Sequence, residues 1–305
     1  MNLIIQVLGP TGVGKSQLSV FLSKKLNGEV ISADSVQVYR RFDIGSAKIS
    51  GQEKMGIPHH LIDILSPLDR FNVNNFIELA FLKIVKITKT GKLPIVCGGT
   101  ALYLRGMIRG IFEESDRNRI SRSKILEIGN TKGFLYLWKR LESIDKKYAE
   151  KIGRNDKKRI IRGLEIYYNN GIIPSNISSV TKSPFKNYNF IRIGLKIPRE
   201  IMYERINNRV DKMIEDGLVN EVITLRNLYG ISCPPMSSIG YKEINMFIDK
   251  KIDFISAVEL IKQHSRNFAK RQMSWFRGEN DINWFDPEKK SDILNFISER
   301  IVELS

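Results

Sequence analysis

The sequence predicts an α/β fold in which a mainly parallel sheet is flanked by helices, with a mostly helical insertion domain. In two parts of the chain, apolar runs of strand length alternate with helix-period stretches, which is typical of a parallel sheet covered on both faces. Between these parts, residues 113–186 are rich in charge and poor in β-branched runs. We therefore expect a sheet-containing core at 1–112 and 187–305 and a helical insertion at 113–186.

The first predicted strand, at residues 3–8, leads into the most informative motif of the chain. Residues 9–16 read Gly-Pro-Thr-Gly-Val-Gly-Lys-Ser, which fits the G-x-x-x-x-G-K-[ST] pattern of P-loop NTPase-like proteins. In such a loop backbone N–H groups surround phosphate oxygens, the lysine adds positive charge and the final hydroxyl can bind Mg²⁺. We expect Ser16 to bind the metal and a di- or triphosphate to be bound by Gly9, Pro10, Thr11, Gly12, Val13, Gly14, Lys15 and Ser16.

The other predicted elements follow from hydrophobic periodicity. Further strands are predicted at residues 30–33, 93–97, 191–197 and 282–285. Helices are predicted at 134–142 and 156–168 in the insertion, from Arg199 onward, and at 254–276. Gly171 and Pro174 should end the helix at 156–168, and residues 175–187 read as a polar linker.

Polar residues follow two of these strands, at the sheet edge where ligands of parallel sheets bind. Asp34-Ser35-Val36-Gln37 follows the second strand, and Gly98-Gly99-Thr100 follows the third. Nucleotide hydrolases usually have an acidic residue at the end of the third strand, so its absence here argues against ATP hydrolysis. Asp34 has two open interpretations: it caps the next turn, or it orients or deprotonates a nucleophile beside the phosphate site.

The charge of the chain favours a polyanionic partner. There are 49 Lys and Arg residues against 33 Asp and Glu residues, a net charge of +16. The basic residues concentrate at 117–124, 146–162 and 266–277. A generally basic proteome is the alternative explanation. Clustering of the charge argues for nucleic acid.

Other residue types narrow the class of protein. Two cysteines exclude a disulfide framework and a zinc site, and Cys97 is expected to be buried. No apolar stretch reaches the roughly 18 residues of a membrane span and no signal sequence is recognised, so a cytoplasmic protein is expected. His59 and His60 are interpreted as structural, and Phe268 and Trp275 as core residues. Arg205 and Arg209, one helical turn apart, are interpreted either as solvated charges or as ligands of a diphosphate.

With these segments identified, the chain resembles the bacterial tRNA dimethylallyltransferases, also called tRNA isopentenyltransferases. The resemblance extends over nearly the whole chain. It rests on Gly-Pro-Thr-Gly-Val-Gly-Lys-Ser at 9–16, Ile-Ser-Ala-Asp-Ser-Val-Gln-Val-Tyr-Arg at 31–40, Asp-Ile-Gly-Ser-Ala-Lys at 43–48, Pro-His-His-Leu-Ile-Asp at 58–63, Cys-Gly-Gly-Thr-Ala-Leu-Tyr at 97–103, Asn-Asp-Lys-Lys-Arg-Ile-Ile-Arg-Gly-Leu-Glu at 155–165, Ser-Ile-Gly-Tyr-Lys-Glu at 238–243 and Ala-Lys-Arg-Gln-Met-Ser-Trp-Phe-Arg at 269–277.

The resemblance implies transfer of a dimethylallyl group from dimethylallyl diphosphate to N6 of the adenine 3′ to the anticodon of tRNA, with Mg²⁺. It implies a monomer that binds the anticodon stem-loop and no membrane. The catalytic residues implied are Asp34, Thr100 and Arg209, and Arg205 is an open addition to the diphosphate clamp. The tRNA-binding residues implied are Asp34, Ser35, Val36, Gln37, Thr100, Arg122, Lys158, Arg159, Ile160, Ile161 and Arg162.

Three other functions stay open at this point. A small-molecule or nucleoside kinase would share the phosphate loop but would not need the basic insertion. A prenyltransferase acting on free AMP would share the transfer chemistry, although the basic segment at 155–165 argues against it. An RNA-binding protein without catalytic activity would leave the phosphate loop unexplained.

Overall fold

The computed structural model describes residues 2–112, 122–179 and 181–304, and it contains a parallel six-stranded sheet. The order across the sheet is β3-β2-β4-β1-β5-β6, and every neighbouring pair is parallel. The strands are β1 (Leu3–Leu8), β2 (Gly28–Ser32), β3 (His59–His60), β4 (Leu93–Gly98), β5 (Asn189–Leu195) and β6 (Asn283–Phe285). The predicted P-loop NTPase-like fold class is confirmed.

Helices account for most of the remaining chain. Those that accompany the sheet are α1 (Lys15–Lys25), α2 (Gly51–Lys54), α3 (Val73–Lys89), α4 (Ala101–Arg109), α9 (Arg199–Glu215), α10 (Leu218–Tyr229), α11 (Tyr241–Ile248), α12 (Phe254–Arg277) and α13 (Lys290–Glu303). The segment between α4 and β5 contains α5 (Arg122–Lys132), α6 (Phe134–Ile144), α7 (Lys146–Ile152) and α8 (Lys157–Asn170). Among the described residues, no helix is both long and apolar enough to cross a membrane.

The chain divides into two compact units. The larger unit comprises Met1–Arg105 and Phe185–Ser305, and the smaller comprises Gly106–Pro184. The predicted start of the insertion at Glu113 and the basic residues at 117–121 lie outside the described residues. The predicted polar linker at 175–187 is partly wrong, because Pro174–Ser179 forms a 3₁₀ helix.

The larger unit is built around buried strands. All six residues of β1 are buried, as expected for a central strand covered on both faces. One core cluster joins β1 and β5 to α1 and α13, and Val13 of the phosphate loop is fully buried within it. A second cluster joins residues 38–42 to α10, α11 and α12. The phosphate loop therefore begins and ends in well-packed structure.

The smaller unit has its own apolar core, formed by α5 to α8. The Trp138 indole N–H donates to the Ala149 carbonyl oxygen at 3.1 Å, which joins α6 to α7. Asp145 caps α7 through the Tyr148 N–H and also accepts from the Ser175 N–H at 2.6 Å. Asp156 caps α8, and Gly171 ends that helix in the left-handed conformation, at φ 68°.

Gly98, at the end of β4, leaves no room for a side chain. A Cβ atom there would lie 2.2 Å from the Ala33 carbonyl oxygen, which belongs to the backbone following β2. We expect Gly98→Ala to lower the free energy of unfolding by about 1–3 kcal/mol, the usual cost of overpacking. Thermal unfolding measures this change, and Gly51→Ala is the matched control because a Cβ at Gly51 meets nothing within 4 Å. Equal melting temperatures for both variants would contradict the packing argument.

Candidate active site

The phosphate loop connects β1 to α1 at the carboxyl edge of the sheet. Gly12 and Gly14 have φ angles of 82° and 96°, in the left-handed region that favours glycine. Gly14 is the N-cap of α1 and provides no side-chain cap, so the first N–H groups of the helix are available to an anion. A Cβ at Gly9 would lie 2.8 Å from the Leu195 carbonyl oxygen, because the loop passes close to β5. The local geometry is that of an anion-binding loop.

Gln272, on α12, joins the phosphate loop to the end of β4. Its Oε1 accepts from the Thr11 N–H at 2.9 Å, and its Nε2 donates to the Gly99 carbonyl oxygen at 2.8 Å. The side chain is buried and the partners lie 261 and 173 residues away in sequence. Sequence reasoning did not assign Gln272 a role. The available signal was a glutamine on the apolar face of a long amphipathic helix, within the segment 269–277.

Two cations face the loop. The Lys15 ammonium donates to the Pro10 carbonyl oxygen at 2.7 Å, and burial lowers the pKa of Lys15 to about 8. Arg209, on α9, donates to the Thr11 hydroxyl at 3.3 Å. The surrounding protein lowers the pKa of Arg209 by desolvation, although its side chain is exposed and a guanidinium stays charged. A bound diphosphate would place further negative charge beside both cations and favour their charged forms.

Arg205 lies one turn before Arg209 on α9, and both line the same cleft. Its guanidinium pairs with Glu288 at 3.4 Å, and the side chains of both partners are largely exposed, at 41% and 75%. An exposed pair of this kind contributes little to stability. Arg205 can therefore leave Glu288 for a phosphate group at small cost.

Asp34 follows β2 and lines the same cleft as Lys15. Its Oδ1 accepts from the N–H groups of Val36 at 2.8 Å and Gln37 at 3.2 Å, so the side chain caps the turn as one of its two interpretations required. Its Oδ2 has no hydrogen-bond partner within the described part of the chain, and Asp34 lines the cleft. The structure therefore permits the second role as well, since one oxygen fixes the carboxylate and the other is available to a ligand.

The cleft contains about 1000 Å³ and is lined by α9, α12, the phosphate loop and the 33–50 loop, the segment between β2 and α2. Gln37 lines it, but its Nε2 donates to the carbonyl oxygens of Ser46 and Ala47, both at 3.2 Å. Ser35 is exposed. Lys48 is buried and bonds both Asp43 and Asp63 at 2.6 Å. Sequence reasoning missed this network, which joins two parts of the 33–50 loop and also connects the loop to Asp63, after β3.

Thr100 and Cys97 lie at the end of β4. The Thr100 N–H donates to the Ala33 carbonyl oxygen at 3.4 Å, which places Thr100 beside the start of the 33–50 loop. Thr100 is half-buried and is not among the residues that line the cleft. Cys97, which we expected to be buried, is half-buried and lines the cleft, and its surroundings raise the pKa of the thiol through desolvation.

The histidines and aromatic residues have mixed outcomes. His60 Nε2 bonds Glu29 at 2.6 Å, which agrees with the structural interpretation. His59 Nδ1 bonds the Ile57 carbonyl oxygen at 2.9 Å, but His59 also lines the cleft and its buried Nε2 has no hydrogen-bond partner among the described residues, so a purely structural role for His59 stays a prediction. Core packing is wrong for Phe268, which is 38% exposed, lines the cleft and has the Arg271 guanidinium 5.8 Å from its ring centre. Trp275 is half-buried beneath Arg105, at 5.4 Å.

Residues assigned to tRNA on α8 divide into two groups. Lys158, Arg159 and Arg162 present charge to solvent, although Arg159 pairs with Asp156 at 3.5 Å and Arg162 with Glu165 at 3.8 Å. Ile160 and Ile161 are 0% and 3% exposed and pack in the core of the smaller unit. Their assignment to tRNA contacts is therefore wrong for their side chains, because helix periodicity turns them inward.

Arg122, at the start of α5, also pairs with the Glu165 carboxylate, at 3.3 Å. Its side chain is 52% exposed, whereas that of Glu165 is 9% exposed. Glu165 thus holds two arginines, Arg122 and Arg162, at the surface of the smaller unit. Residues 113–121, which precede Arg122, lie outside the described residues.

The fold and the cleft together define a P-loop-type α/β protein with an anion site beside a carboxylate. Comparison with known proteins narrows this class. A model of the IPP transferase family matches residues 37–279, so the chain belongs to that family and is a transferase. The resemblance seen in the sequence is thereby confirmed.

Relatives and solved structures agree with this assignment. A tRNA dimethylallyltransferase from Carboxydothermus hydrogenoformans is 43% identical over 300 residues, which is 98% of this chain and 96% of the relative. The crystal structure of a tRNA isopentenylpyrophosphate transferase from Bacillus halodurans has a TM-score of 0.74 at 39% identity, covering 99% of this chain and 98% of that one. A eukaryotic dimethylallyltransferase acting on tRNA has a TM-score of 0.82 at 31% identity, covering 99% of this chain and 78% of that one.

Proposed function

We propose that this protein transfers the dimethylallyl group of dimethylallyl diphosphate to N6 of the adenine 3′ to the anticodon in tRNA and releases diphosphate. The observation that carries the proposal is the placement of Lys15, Arg209 and Asp34 in one cleft. Two cations suit a departing diphosphate, and a carboxylate suits the proton of an attacking amine. The names of the relatives point to the same reaction.

The donor half of the reaction depends on charge. The bond between the allylic carbon and the diphosphate oxygen breaks, and the diphosphate leaves with the electron pair. Lys15, Arg209 and the N–H groups at the start of α1 stabilise the negative charge that develops on it. Arg205 joins this clamp when it releases Glu288.

Mg²⁺ fits the donor side of the cleft. Ser16 is exposed and lines the cleft as the hydroxyl of the phosphate loop. No group of three or more His, Cys, Asp and Glu side chains that could hold a metal occurs within 2–112, 122–179 and 181–304. Magnesium commonly binds through one or two protein oxygens together with substrate phosphates, so Ser16 and the diphosphate are a suitable donor set. Bound there, Mg²⁺ would neutralise part of the charge on the leaving group.

The acceptor half depends on Asp34. An adenine N6 amine is a poor nucleophile, and a base that accepts its proton as the N–C bond forms lowers the barrier. Asp34 Oδ2 takes this proton while Oδ1 keeps its bonds to the turn. The adenine must leave its stack to enter the cleft, which costs little in a single-stranded anticodon loop. Gln37 lines the cleft and is placed to contact the base, whereas Ser35, Val36 and Thr100 do not line it and would act by positioning the residues that do.

The principal alternative is a kinase with the same loop. Against it, β4 ends at Gly98 and is followed by Gly99 and Thr100, so the end of this strand provides no carboxylate for a nucleotide-bound metal. Prenylation of free AMP would not need the basic residues of α8. We therefore favour the RNA acceptor over both.

One experiment separates these functions. The purified protein is incubated with Mg²⁺, dimethylallyl diphosphate and unmodified tRNA or AMP, and the nucleosides are analysed by mass spectrometry. A parallel incubation contains ATP in place of dimethylallyl diphosphate, and phosphate release is measured. We expect one C5H8 unit to be added to adenosine in tRNA and none to AMP. Phosphate release from ATP without any prenylated nucleoside would support the kinase, and prenylated AMP with unmodified tRNA would support the free-nucleotide enzyme.

The basic face of α8 gives a second prediction. Replacing Lys157, Lys158, Arg159 and Arg162 by Gln should weaken tRNA binding and reduce the slope of log affinity against log salt. The slope should fall by about 0.7–0.9 for each phosphate group that the protein no longer neutralises. The affinity for dimethylallyl diphosphate should not change, because these residues belong to the smaller unit and the diphosphate residues to the larger.

The control for this variant removes charge elsewhere. A parallel variant with the same net charge as the α8 variant replaces four other lysines by Gln. Three of them lie in α3 and one follows it: Lys83, Lys86, Lys89 and Lys92. If the salt slope falls equally in both variants, general electrostatic attraction explains tRNA binding and α8 does not form a specific contact.

A further inference from the structure

The 33–50 loop forms one wall of the cleft, and regular secondary structure does not stabilise its conformation. The 33–50 loop contains neither helix nor regular strand, yet it provides Asp34 and Gln37 at its start and Ser46 and Ala47 near its end. A loop of this length positions a base or a proton acceptor only if it is fixed from outside. The bond from Lys48 to Asp63 is one such support, and a residue of α10 provides another.

Glu221, in the first turn of α10, binds three successive backbone N–H groups of this loop. Its Oε2 accepts from Asp43 at 3.2 Å and Ile44 at 2.8 Å, and its Oε1 accepts from Gly45 at 3.1 Å. The Tyr241 hydroxyl donates to the same Oε1 at 2.7 Å. All four partners are donors, so the site suits an acceptor-only carboxylate, and hydrogen bonds to an ionised group are the strong ones.

Tyr241 and Gly45 complete this arrangement. Tyr241 is fully buried on α11, and its ring packs against Phe42 at 4.7 Å between ring centres. A Cβ at Gly45 would lie 2.6 Å from the Tyr241 ring, so the loop approaches this ring as closely as a glycine allows. Because Gly45 has no positive φ angle in the structure, close approach is the reason for the glycine at this position.

The bonds to Glu221 continue into the cleft. Ser46 and Ala47 follow the three bound residues directly, and their carbonyl oxygens accept both bonds from Gln37 Nε2. Gln37 Oε1 in turn accepts from the Ser32 hydroxyl at 3.3 Å. The donor side of the cleft has different supports, Gln272 and α9. Displacing residues 43–45 should therefore disturb Gln37 and the rest of the 33–50 loop, where we propose that the RNA acceptor binds, and should leave the phosphate loop in place.

We infer that Glu221 is a positioning residue for the RNA acceptor: it binds the backbone of residues 43–45 and thereby sets the position of Gln37 and of the turn at Asp34. The inference rests on the proposed function. Glu221 acts only through the loop, because it is not among the residues that line the cleft. Loss of the Glu221 carboxylate should raise KM for tRNA and leave KM for dimethylallyl diphosphate unchanged.

The test is the Glu221→Gln variant. A glutamine presents an NH₂ group to backbone N–H donors, so at least one of the bonds becomes a donor–donor contact. We expect KM for tRNA to rise about tenfold or more and KM for dimethylallyl diphosphate to stay within about twofold. Hydrogen exchange of residues 40–50 should become faster. Glu299→Gln on α13 is the matched control, because it makes the same change at an exposed position.

A double-variant cycle joins the carboxylate to the loop. Gly45→Ala should act in the same direction as Glu221→Gln, and the combined variant should show much less than the product of the two effects on KM for tRNA. If Glu221→Gln is poorly folded, Tyr241→Phe replaces it as the test, because this change removes one donor to Glu221 and keeps the ring. We expect Tyr241→Phe to raise KM for tRNA by a smaller factor. Equal increases in both KM values, or faster exchange of residues 40–50 with an unchanged KM for tRNA, would overturn the inference. Wild-type protein that transfers nothing to tRNA would instead overturn the proposed function.

Discussion

We expect Asp34→Asn to lower the rate of the chemical step by roughly 10²- to 10⁴-fold, the range expected when a general base is removed. The substitution isolates the proton-accepting role, because an asparagine Oδ1 keeps the bonds from the Val36 and Gln37 N–H groups. Only the second oxygen changes, from a carboxylate oxygen to an amide NH₂. Single-turnover transfer from dimethylallyl diphosphate to tRNA measures the step without interference from product release.

Two controls accompany this variant. Thermal unfolding should show a melting temperature close to that of the wild type, because the turn is retained. Asp34→Ala removes both the base and the cap, so it should lose activity to a similar degree and stability in addition. If Asp34→Asn keeps most of its single-turnover rate while Asp34→Ala is unstable, the aspartate serves only to cap the turn and another group accepts the proton.

The sequence predicted those parts of the fold that depend on local patterns. The run at residues 3–8 coincides with β1, and the predicted helices at 156–168 and 254–276 correspond to α8 and α12. The strand β3 was missed because it contains only His59 and His60, two polar residues without any apolar periodicity. It exists because Val30 and Ile31 of β2 pair with it. Such a strand depends on tertiary pairing, which a sequence window does not contain.

The candidate site divides in the same way. Asp34 and the phosphate loop could be predicted because their geometry follows from consecutive residues and from the end of a strand. Gln272 and Glu221 could not, since each binds backbone groups more than 170 residues away. Phe268 was misassigned because helix periodicity shows which residues share a face and does not show whether a cleft lies over that face.

Lys15→Ala should weaken binding of dimethylallyl diphosphate by about 10- to 100-fold, because a charge-assisted hydrogen bond contributes about 1.5–3 kcal/mol. The affinity for tRNA should stay near that of the wild type, because the residues proposed to contact the base, Asp34 and Gln37, belong to the 33–50 loop and not to the phosphate loop. Both dissociation constants are measured on the same protein. Lys24→Ala is the matched control on α1, where the lysine is exposed and outside the cleft. A weaker affinity for tRNA with unchanged diphosphate affinity would mean that the loop binds another ligand.

The pH dependence of diphosphate binding adds a test that a purely structural lysine would not pass. Burial lowers the pKa of Lys15 to about 8 in the ligand-free protein, so the ammonium is charged below this pH and increasingly neutral above it. A diphosphate favours the charged form, and its binding above pH 8 requires uptake of a proton. We therefore expect affinity to be constant from about pH 7 to 8 and to fall by up to about tenfold per pH unit above it.

This decline should be absent in Lys15→Ala and reduced in Lys15→Arg, whose guanidinium stays charged. Folding stability should change in the opposite direction. Because the unfolded chain holds this proton up to the ordinary value of 10.5, the ligand-free wild type should gain stability relative to Lys15→Ala as the pH rises from about 8 to 10.5. Calorimetric titrations across this range and denaturant unfolding at the same pH values measure the two effects. An identical decline in diphosphate affinity in wild type and Lys15→Ala would assign the titration to another group and leave Lys15 without a part in binding the leaving group.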